Sequence, residues 1–230
     1  MIQVYSWPTP NGHKVHIMLE ECGLAYQAVP VDIGQGEQFK PTFLKISPNN
    51  KIPALVDPDG PGGKPITLFE SGAILIYLAG KTGKFIPKDD HGKYQVLQWL
   101  MFQMGGVGPM LGQNHHFRTY APEKLPYAID RYTNEAKRIY GVIDKQLSQN
   151  AFIAGAQYSI ADMAIYPWLR NWKAQGMELA DYPHLQKWFD GLELRPAVQK
   201  GCQVLAHLRK PLTGEKERNI LFGKAQYQKH

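Results

Sequence analysis

The feature that most constrains this 230-residue chain is the stretch over residues 47–78, SPNNKIPALVDPDGPGGKPITLFESGAILIYL. Residues 52–56 form a β-rich run that opens on Pro53, and residues 66–69 form a second run beyond a Gly- and Pro-rich hairpin. A proline at a strand entry is typical of a cis peptide bond in a tight turn. Such a turn predicts that the main-chain groups of Ile52 face outward, where an extended peptide can pair with them as an added strand.

The helix that follows begins at a pair of polar residues, Glu70 and Ser71, ahead of the apolar Ile74, Leu75 and Leu78. The N–H groups of a first helical turn suit a carboxylate, and the charge of Glu70 suits an amine. Taken alone, Ser71 is interpreted as an N-cap and Glu70 as a surface carboxylate at a helix N-terminus. Beside the strand entry, the pair predicts a site for a small peptide with a free α-amino acid end.

The first part of the chain is predicted to form a βαβ unit, a connection and a ββα unit. A β-rich run over residues 2–6 precedes a helix that ends at Gly23, and a second strand is expected over residues 26–33. Residues 38–46 are expected to be irregular or a short helix. This order, with a proline at the start of the third strand, predicts a thioredoxin-like domain.

The remainder of the chain is helical in pattern. Residues 94–104 are apolar on nearly every side, residues 128–147 form an amphipathic helix, and Ser159 with Asp162 has the form of a capping box. The fold class predicted is α+β, with an N-terminal thioredoxin-like domain followed by an all-α helical-bundle domain. The predicted boundaries are a thioredoxin-like domain over residues 1–83, a linker over 84–90, an all-α domain over 91–208 and a basic C-terminal tail over 209–230.

The net charge of +6 does not mark a nucleic-acid-binding face. Lys and Arg number 6 against 7 Asp and Glu in residues 1–83, but 20 against 13 in the rest. Residues 209–230 alone hold 6 basic and 2 acidic residues, so much of the excess lies in the expected tail. We therefore expect a solvated tail and no nucleic-acid partner.

Other function classes are excluded by what the sequence lacks. No apolar run reaches membrane-spanning length, and the opening MIQVYSWPTP lacks the features of a signal peptide. Cys22 and Cys202 form no CxxC motif, which fits a reducing compartment. The histidines come without a carboxylate or thiolate at ligand spacing. We expect a cytoplasmic protein with no membrane partner and no metal.

Four stretches carry a family resemblance: PTPNGHK, SPNNKIPAL, LFESGAILIYLA and GPMLGQNHHF. With them, residues 1–207 resemble the cytosolic glutathione transferases, and most specifically the bacterial Nu-class disulfide-bond oxidoreductases and the related nitrogen-catabolite prion regulators. The resemblance implies a homodimer that uses glutathione as co-substrate. It implies glutathione-binding roles for Gln38, Lys51, the Ile52 main chain before cis-Pro53, Glu70 and Ser71, with Arg131 contributed across a dimer interface.

The charges of these residues agree with that implication. Glutathione is a tripeptide with one amine and two carboxylates. Glu70 fits the γ-glutamyl amine, Ser71 its carboxylate, and Lys51 the glycyl carboxylate. Arg131 has an alternative interpretation, as a solvated helix-face residue paired with Glu135 one turn later.

The reactive sulfur is expected at the first strand-to-helix turn, where N–H groups stabilise a thiolate. The chain has no cysteine there, so glutathione must supply the sulfur and the protein need only hydrogen-bond to it. Thr9 lies where serine-type transferases place their hydroxyl, and the resemblance implicates Thr9 with Asn11. Tyr5, near the position of the tyrosine-type donor, ranks second because tyrosines in mid-strand are usually packing residues.

The function predicted from the sequence is glutathione-dependent disulfide-bond reduction by thiol–disulfide exchange, with two bound glutathione molecules and no protein cysteine. Peroxidase or conjugating transferase activity is a possible addition. The alternative is a non-catalytic glutathione-binding or regulatory module on the same fold. A regulator of the related kind carries a long Gln/Asn-rich stretch, and the sequence contains none, which favours the enzyme.

Overall fold

A computed structural model of the chain describes residues 1–210 and 214–227. The chain forms two units: one combines Met1–Tyr77 with the chain from Lys200 onward, and the other is Leu78–Gln199. The first unit holds a four-stranded sheet with flanking helices, and the second is helical. The predicted fold class is confirmed.

The sheet of the first unit has the strand order β2-β1-β3-β4. Its strands are β1 Ile2–Ser6, β2 Tyr26–Pro30, β3 Ala54–Asp57 and β4 Ile66–Phe69. β1 and β2 are parallel, as the βαβ pattern predicts, whereas β3 is antiparallel to both of its neighbours. Side chains on β1 alternate between buried and partly exposed, so one face of the strand packs into the core.

Two strand boundaries differ from the predictions. The second strand ends at Pro30 instead of residue 33, although the Val31 N–H still donates to the Ser6 carbonyl oxygen at 2.9 Å. Pro30 is tolerated there because β2 is an edge strand and pairs only with β1. β3 begins at Ala54, two residues after the predicted start at Ile52.

The helices follow the predicted patterns. They are α1 Pro10–Cys22, α2 Pro41–Leu44, α3 Ser71–Thr82, α4 Asp90–Phe102, α5 Gly108–His115, α6 Pro126–Leu147, α7 Ile160–Leu169, α8 Pro183–Glu193, α9 Pro196–Gln203 and α10 Glu215–Phe222. The capping box before α7 is confirmed, with Ser159 and Asp162 bonded reciprocally. Between α4 and α5, the Gly-rich segment forms a π-helical turn over Gln103–Val107 instead of ending the helix. In the described part of the chain, no helix combines the length and apolar character needed to cross a membrane.

The basic C-terminal segment differs from a solvated tail where the structure describes it. α10 and a 3₁₀ turn at Lys224–Tyr227 belong to the first unit, and Lys216 Nζ donates to Gln35 Oε1 at 2.7 Å. Ile220 is half-buried, so the apolar residues of α10 supply packing that a charge count does not reveal. Residues 211–213 and 228–230 of the expected tail lie outside the described residues.

The division into units also differs from the predicted domain boundaries. The first unit ends within α3, before the predicted domain end at residue 83. It resumes at Lys200, before the predicted end of the all-α domain at residue 208. The linker over residues 84–90 stays a prediction.

Candidate functional site

The register of the sheet brings the predicted site segments to one edge. Tyr5 pairs with Ala54, and Ala54 pairs with Phe69, so the end of β1, the start of β3 and the end of β4 lie side by side. The chain leaves β1 toward α1, enters β3 through the Ile52–Pro53 bond, and leaves β4 toward α3. The three segments that carry the predicted site residues therefore meet at one sheet edge.

Thr9 caps the first helix at this edge. Its main chain is extended, and its Oγ1 accepts a hydrogen bond from the Gly12 N–H at 3.4 Å. Gly12 is required here because a Cβ at this position would collide with the Trp7 carbonyl oxygen and the Ser6 hydroxyl. Asn11 lies in the first turn of α1 and is partly exposed. Thr9 and Asn11 thus both sit in the turn predicted to hold the sulfur.

Tyr5 has the surroundings of a packing residue. Its ring lies 6.4 Å from the ring of Phe43, and it packs against the buried cluster that includes Val31 and Ala54. Its hydroxyl donates to Gln3 Oε1 at 3.4 Å. These contacts favour the lower rank that the sequence gives Tyr5 as a thiolate donor.

The Ile52–Pro53 peptide bond is cis, as predicted. Just before it, the Lys51 carbonyl oxygen accepts a hydrogen bond from the buried Ser47 hydroxyl at 2.8 Å. The Lys51 side chain is exposed, but its Nζ donates to Gln226 Oε1 at 2.9 Å. Partial burial of the charge lowers the pKa of Lys51. A residue of the C-terminal segment therefore touches the predicted carboxylate-binding lysine.

The start of α3 holds the predicted amino-acid-binding pair. Glu70 has a left-handed main chain with φ 70°, which is uncommon outside glycine and is found at ligand-binding turns. Its carbonyl oxygen accepts from the Ile74 N–H at 3.0 Å, which opens the helix. Glu70 is exposed, whereas Ser71 is 3% exposed, and Ser71 Oγ lies 3.3 Å from Lys14 Nζ.

Lys14 is a residue of this region that the sequence interpretation missed. Its side chain is 1% exposed, and burial lowers its pKa to about 7, while the Glu70 carboxylate acts in the opposite direction. The sequence did hold a signal. Lys14 stands four residues before Met18, on the apolar stripe of α1, where a charged residue is out of pattern.

Gln38, another predicted glutathione-binding residue, is buried. Its side chain is 2% exposed, and its Nε2 donates to the Ile33 carbonyl oxygen at 3.3 Å. Within the described residues, the buried Oε1 of Gln38 has no hydrogen-bond partner. The amide thus holds an acceptor that a ligand donor close to it could satisfy.

Arg131 lies in the second unit, on the exposed face of α6. The carboxylate of Glu135, its suggested partner, accepts two hydrogen bonds from Arg138 at 2.9 and 2.7 Å. This bidentate pair holds the pKa of Glu135 below its usual value. The positive charge of Arg131 also lowers the pKa of Glu135, so the interpretation of Arg131 as a solvated helix-face residue beside Glu135 remains the alternative.

Metal chemistry has little support in the described part of the chain. Across residues 1–210 and 214–227, no three His, Cys, Asp or Glu side chains gather as a metal site would require. Cys22 and Cys202 are thiols, and both are partly exposed. The polar groups at the sheet edge are instead those that would bind a charged organic molecule.

Comparison with known proteins agrees with this geometry. Residues 1–80 match the glutathione S-transferase N-terminal domain, and residues 126–191 match the glutathione S-transferase C-terminal domain. The disulfide-bond oxidoreductase YfcG of Escherichia coli K12 is 52% identical over 199 residues, which is 86% of this chain and 93% of the relative.

Solved structures of glutathione transferases are also similar to this chain. A glutathione transferase from Burkholderia graminis, with two glutathione molecules bound per subunit, is 48% identical with a TM-score of 0.84, over 88% of this chain and 87% of that one. A glutathione transferase from Pseudomonas putida, with one glutathione disulfide bound per subunit, is also 48% identical with a TM-score of 0.84, over 88% and 91% of the two chains.

Proposed function

Because the chain belongs to the glutathione S-transferase family of enzymes, we propose that it reduces disulfide bonds with two molecules of glutathione and without a cysteine of its own. The observation that carries this proposal is the row Tyr5, Ala54 and Phe69, which sets the three site segments side by side. The name of the Escherichia coli relative supports the reaction, and the ligands of the solved relatives support the two-glutathione stoichiometry.

The binding groups match the charges of glutathione. Glu70 would bind the γ-glutamyl amine, Ser71 the adjacent carboxylate, and Lys51 the glycyl carboxylate. The Ile52 main chain lies outside the sheet ladder, which starts at Ala54, and would pair with the cysteinyl residue as an added strand. Gln38 and cis-Pro53 complete the glutathione-binding set that the family resemblance implies.

Thr9 and Asn11 would stabilise the glutathione thiolate. The Thr9 hydroxyl accepts from the Gly12 N–H, and as a hydroxyl it also carries one hydrogen that can be donated to sulfur. Hydrogen bonds to the anion lower the thiol pKa and raise the fraction of thiolate at neutral pH. The protein thus activates a sulfur that the ligand brings.

The reaction is two successive thiol–disulfide exchanges. The bound thiolate attacks one sulfur of a small disulfide, forms a mixed disulfide with glutathione, and releases one thiolate that is then protonated. The thiolate of the second glutathione attacks the glutathione sulfur of this mixed disulfide and releases the second thiol. Two glutathione molecules are thereby oxidised to glutathione disulfide, and one substrate disulfide is reduced to two thiols.

We further propose a homodimer in which Arg131 reaches the ligand of the partner. Arg131 is exposed, and the nearby aromatic Tyr127 is 81% exposed on the same helix. Arg131→Ala should weaken glutathione-disulfide binding and leave the dimer intact, because a rim charge adds recognition more than interface area. Calorimetry and analytical ultracentrifugation together test this, and unchanged affinity would assign the site to one chain.

The proposed reaction is tested by steady-state assays with glutathione and three substrates: a small dialkyl disulfide, a hydroperoxide and an aryl halide. We expect the highest kcat/KM with the disulfide. Thr9→Ala and Asn11→Ala should lower turnover more than the matched change Tyr5→Phe. The reverse ranking would assign the chain to the tyrosine-type enzymes.

The competing function, a non-catalytic glutathione-binding module, predicts a different result. Such a module would bind glutathione by calorimetry and show no turnover above the uncatalysed rate with any of the three substrates.

A further inference from the structure

Lys14 is an unusual residue for the interior of the first unit. Lysine is almost never fully buried unless it is paired, yet the Lys14 side chain is 1% exposed on α1. Its Nζ reaches Ser71 Oγ, 3.3 Å away, at the first position of α3. The two residues are separated by 57 positions in sequence, so the contact ties the first helix to the start of α3.

The direction of this hydrogen bond follows from the charge of Lys14. When Lys14 is protonated, its ammonium has three donors and no acceptor, so Ser71 Oγ accepts from Lys14. The hydrogen of the Ser71 hydroxyl then points away from Lys14. A hydroxyl oriented in this way can donate to a carboxylate ligand on that side.

The charge of Lys14 adds to this effect. A positive charge behind the hydroxyl favours an anion in front of it, and the favourable energy is larger away from bulk water. The N–H groups of the first turn of α3 act in the same direction. Glu70, next to Ser71, would meanwhile bind the amine of the same amino-acid end.

We propose that Lys14 is a positioning residue that orients the Ser71 hydroxyl and supplies the buried positive charge for the α-carboxylate of a γ-glutamyl ligand. This inference rests on the proposed function, since it assigns a residue to the glutathione site. It goes beyond that function because Lys14 is outside the set of residues that contact the ligand.

A measurable consequence is proton uptake. Burial lowers the pKa of Lys14 to about 7, the Glu70 carboxylate raises it, and Ser71 accepts its hydrogen bond. A bound carboxylate would raise this pKa further, so the complex holds a proton that the free protein has partly lost at pH 8.

The test is calorimetric titration with S-methylglutathione, which has no titratable thiol, at pH 8 in phosphate and in Tris. The dependence of the observed heat on the ionisation enthalpy of the buffer gives the proton uptake. We expect proton uptake by the wild-type protein and less proton uptake by Lys14→Met, with affinity at least about tenfold weaker. The exposed Lys64→Met is the matched control and should behave as wild type.

Two further measurements cover a Lys14→Met variant that does not fold. Lys14→Arg keeps the charge at every pH, so it should recover affinity but lose the proton uptake. The affinity of the wild-type protein itself should fall as pH rises from 6 to 8.5. Equal proton uptake by wild type and both variants, or a wild-type affinity that does not change over this range, overturns the inference about Lys14. Either result leaves the proposed function standing. Failure of the wild-type protein to bind S-methylglutathione overturns the proposed function, and the inference with it.

Discussion

The two ends of the candidate site hold the same type of residue in opposite surroundings. At the proposed amino-acid end, Lys14 is 1% exposed and its Nζ lies 3.3 Å from Ser71 Oγ. At the glycyl end, Lys51 is exposed and donates to Gln226 of the C-terminal segment. A buried charge interacts strongly with its neighbours, whereas an exposed one is screened by water and salt. We infer that affinity is set at the amino-acid end and adjusted at the glycyl end.

The two ends also differ in how they relate to the family. Lys14 and Ser71 lie within residues 1–80, which match the N-terminal domain of the glutathione S-transferases. Gln226 lies beyond residue 191, where the match to the C-terminal domain stops. Lys51 itself lies within residues 1–80, so only its contact at the proposed glycyl end lies outside both matches.

The largest effect on glutathione affinity is expected from Glu70→Gln, and Lys51→Met serves as the comparison from the other end of the site. Glu70→Gln removes the charge proposed to pair with the ligand amine. A hydrogen bond to a charged group contributes about 1.5 to 3 kcal/mol, so affinity for glutathione should fall roughly 10- to 100-fold. Lys51→Met should cost less than about 1 kcal/mol, or roughly fivefold, as exposed ion pairs do.

Titration calorimetry of both variants at low and at physiological salt checks the ranking of the two ends. Added salt should weaken the contribution of Lys51 and leave that of Glu70 nearly unchanged. A larger loss of affinity for Lys51→Met than for Glu70→Gln would contradict the inference that affinity is set at the amino-acid end.

The second-largest effect is expected from Lys14→Met, on the pH dependence of the protein's stability. The pKa of Lys14 is about 7 in the folded protein, against 10.5 as its ordinary value, so the unfolded chain holds this proton more tightly. Lys14 therefore opposes folding most strongly below pH 7, and this opposition is relieved as pH rises from about 7 to about 10.5. Lys14→Met should melt about 3 °C above wild type at pH 6, with the difference narrowing toward pH 10.

Differential scanning calorimetry from pH 6 to pH 10 measures this difference. Lys51→Met is the matched comparison from the other end of the site, and its melting temperature should differ less from wild type across the range. A Lys14→Met difference that stays constant with pH would mean that the lysine is not charged and buried as described.

The sheet edge was predictable from sequence because its signals are local. A proline at the start of β3 and a Glu-Ser pair before α3 each act within a few residues. The hairpin connection then brings these two segments together, since antiparallel neighbours set the end of one strand beside the start of the next. Ile52 and Glu70 can for this reason be grouped by their sequence patterns, whereas Thr9 was assigned through the family resemblance.

The contacts of the two lysines were not predictable in the same way. The Lys14–Ser71 contact joins residues 57 apart, and the Lys51–Gln226 contact joins residues 175 apart. Periodicity and capping rules carry no information on such pairings, which depend on how complete elements pack. The charge count of the C-terminal segment likewise did not predict α10, in which Ile220 is half-buried.

The third effect concerns Gln226. Gln226→Ala removes the acceptor that holds Lys51, so the ammonium becomes available to a glycyl carboxylate. Glutathione affinity should rise about two- to threefold, the amount expected for one exposed hydrogen bond. γ-Glutamylcysteine, which lacks the glycyl residue, should bind Gln226→Ala and wild type equally.

Parallel titrations with the two ligands separate an effect at the glycyl end from a general one. Gln27→Ala, an exposed glutamine on β2, is the control and should change neither affinity. Equal gains for both ligands would show that Gln226 acts on the whole site and not on Lys51.

The smallest effect is expected from the cysteines, because in the proposed reaction the ligand supplies the sulfur. Cys22 is the last residue of α1, with Sγ 4.0 Å from Met18 Sδ, and Cys202 lies in α9. Neither residue is in the turn that holds Thr9 and Asn11. Cys22→Ser, Cys202→Ser and the double variant should keep kcat/KM for a small disulfide within about twofold of wild type, which is less than about 0.5 kcal/mol. A loss of more than about tenfold in a folded variant, near 1.4 kcal/mol of transition-state stabilisation, would place a protein thiol in the reaction and require a different division of work between ligand and chain.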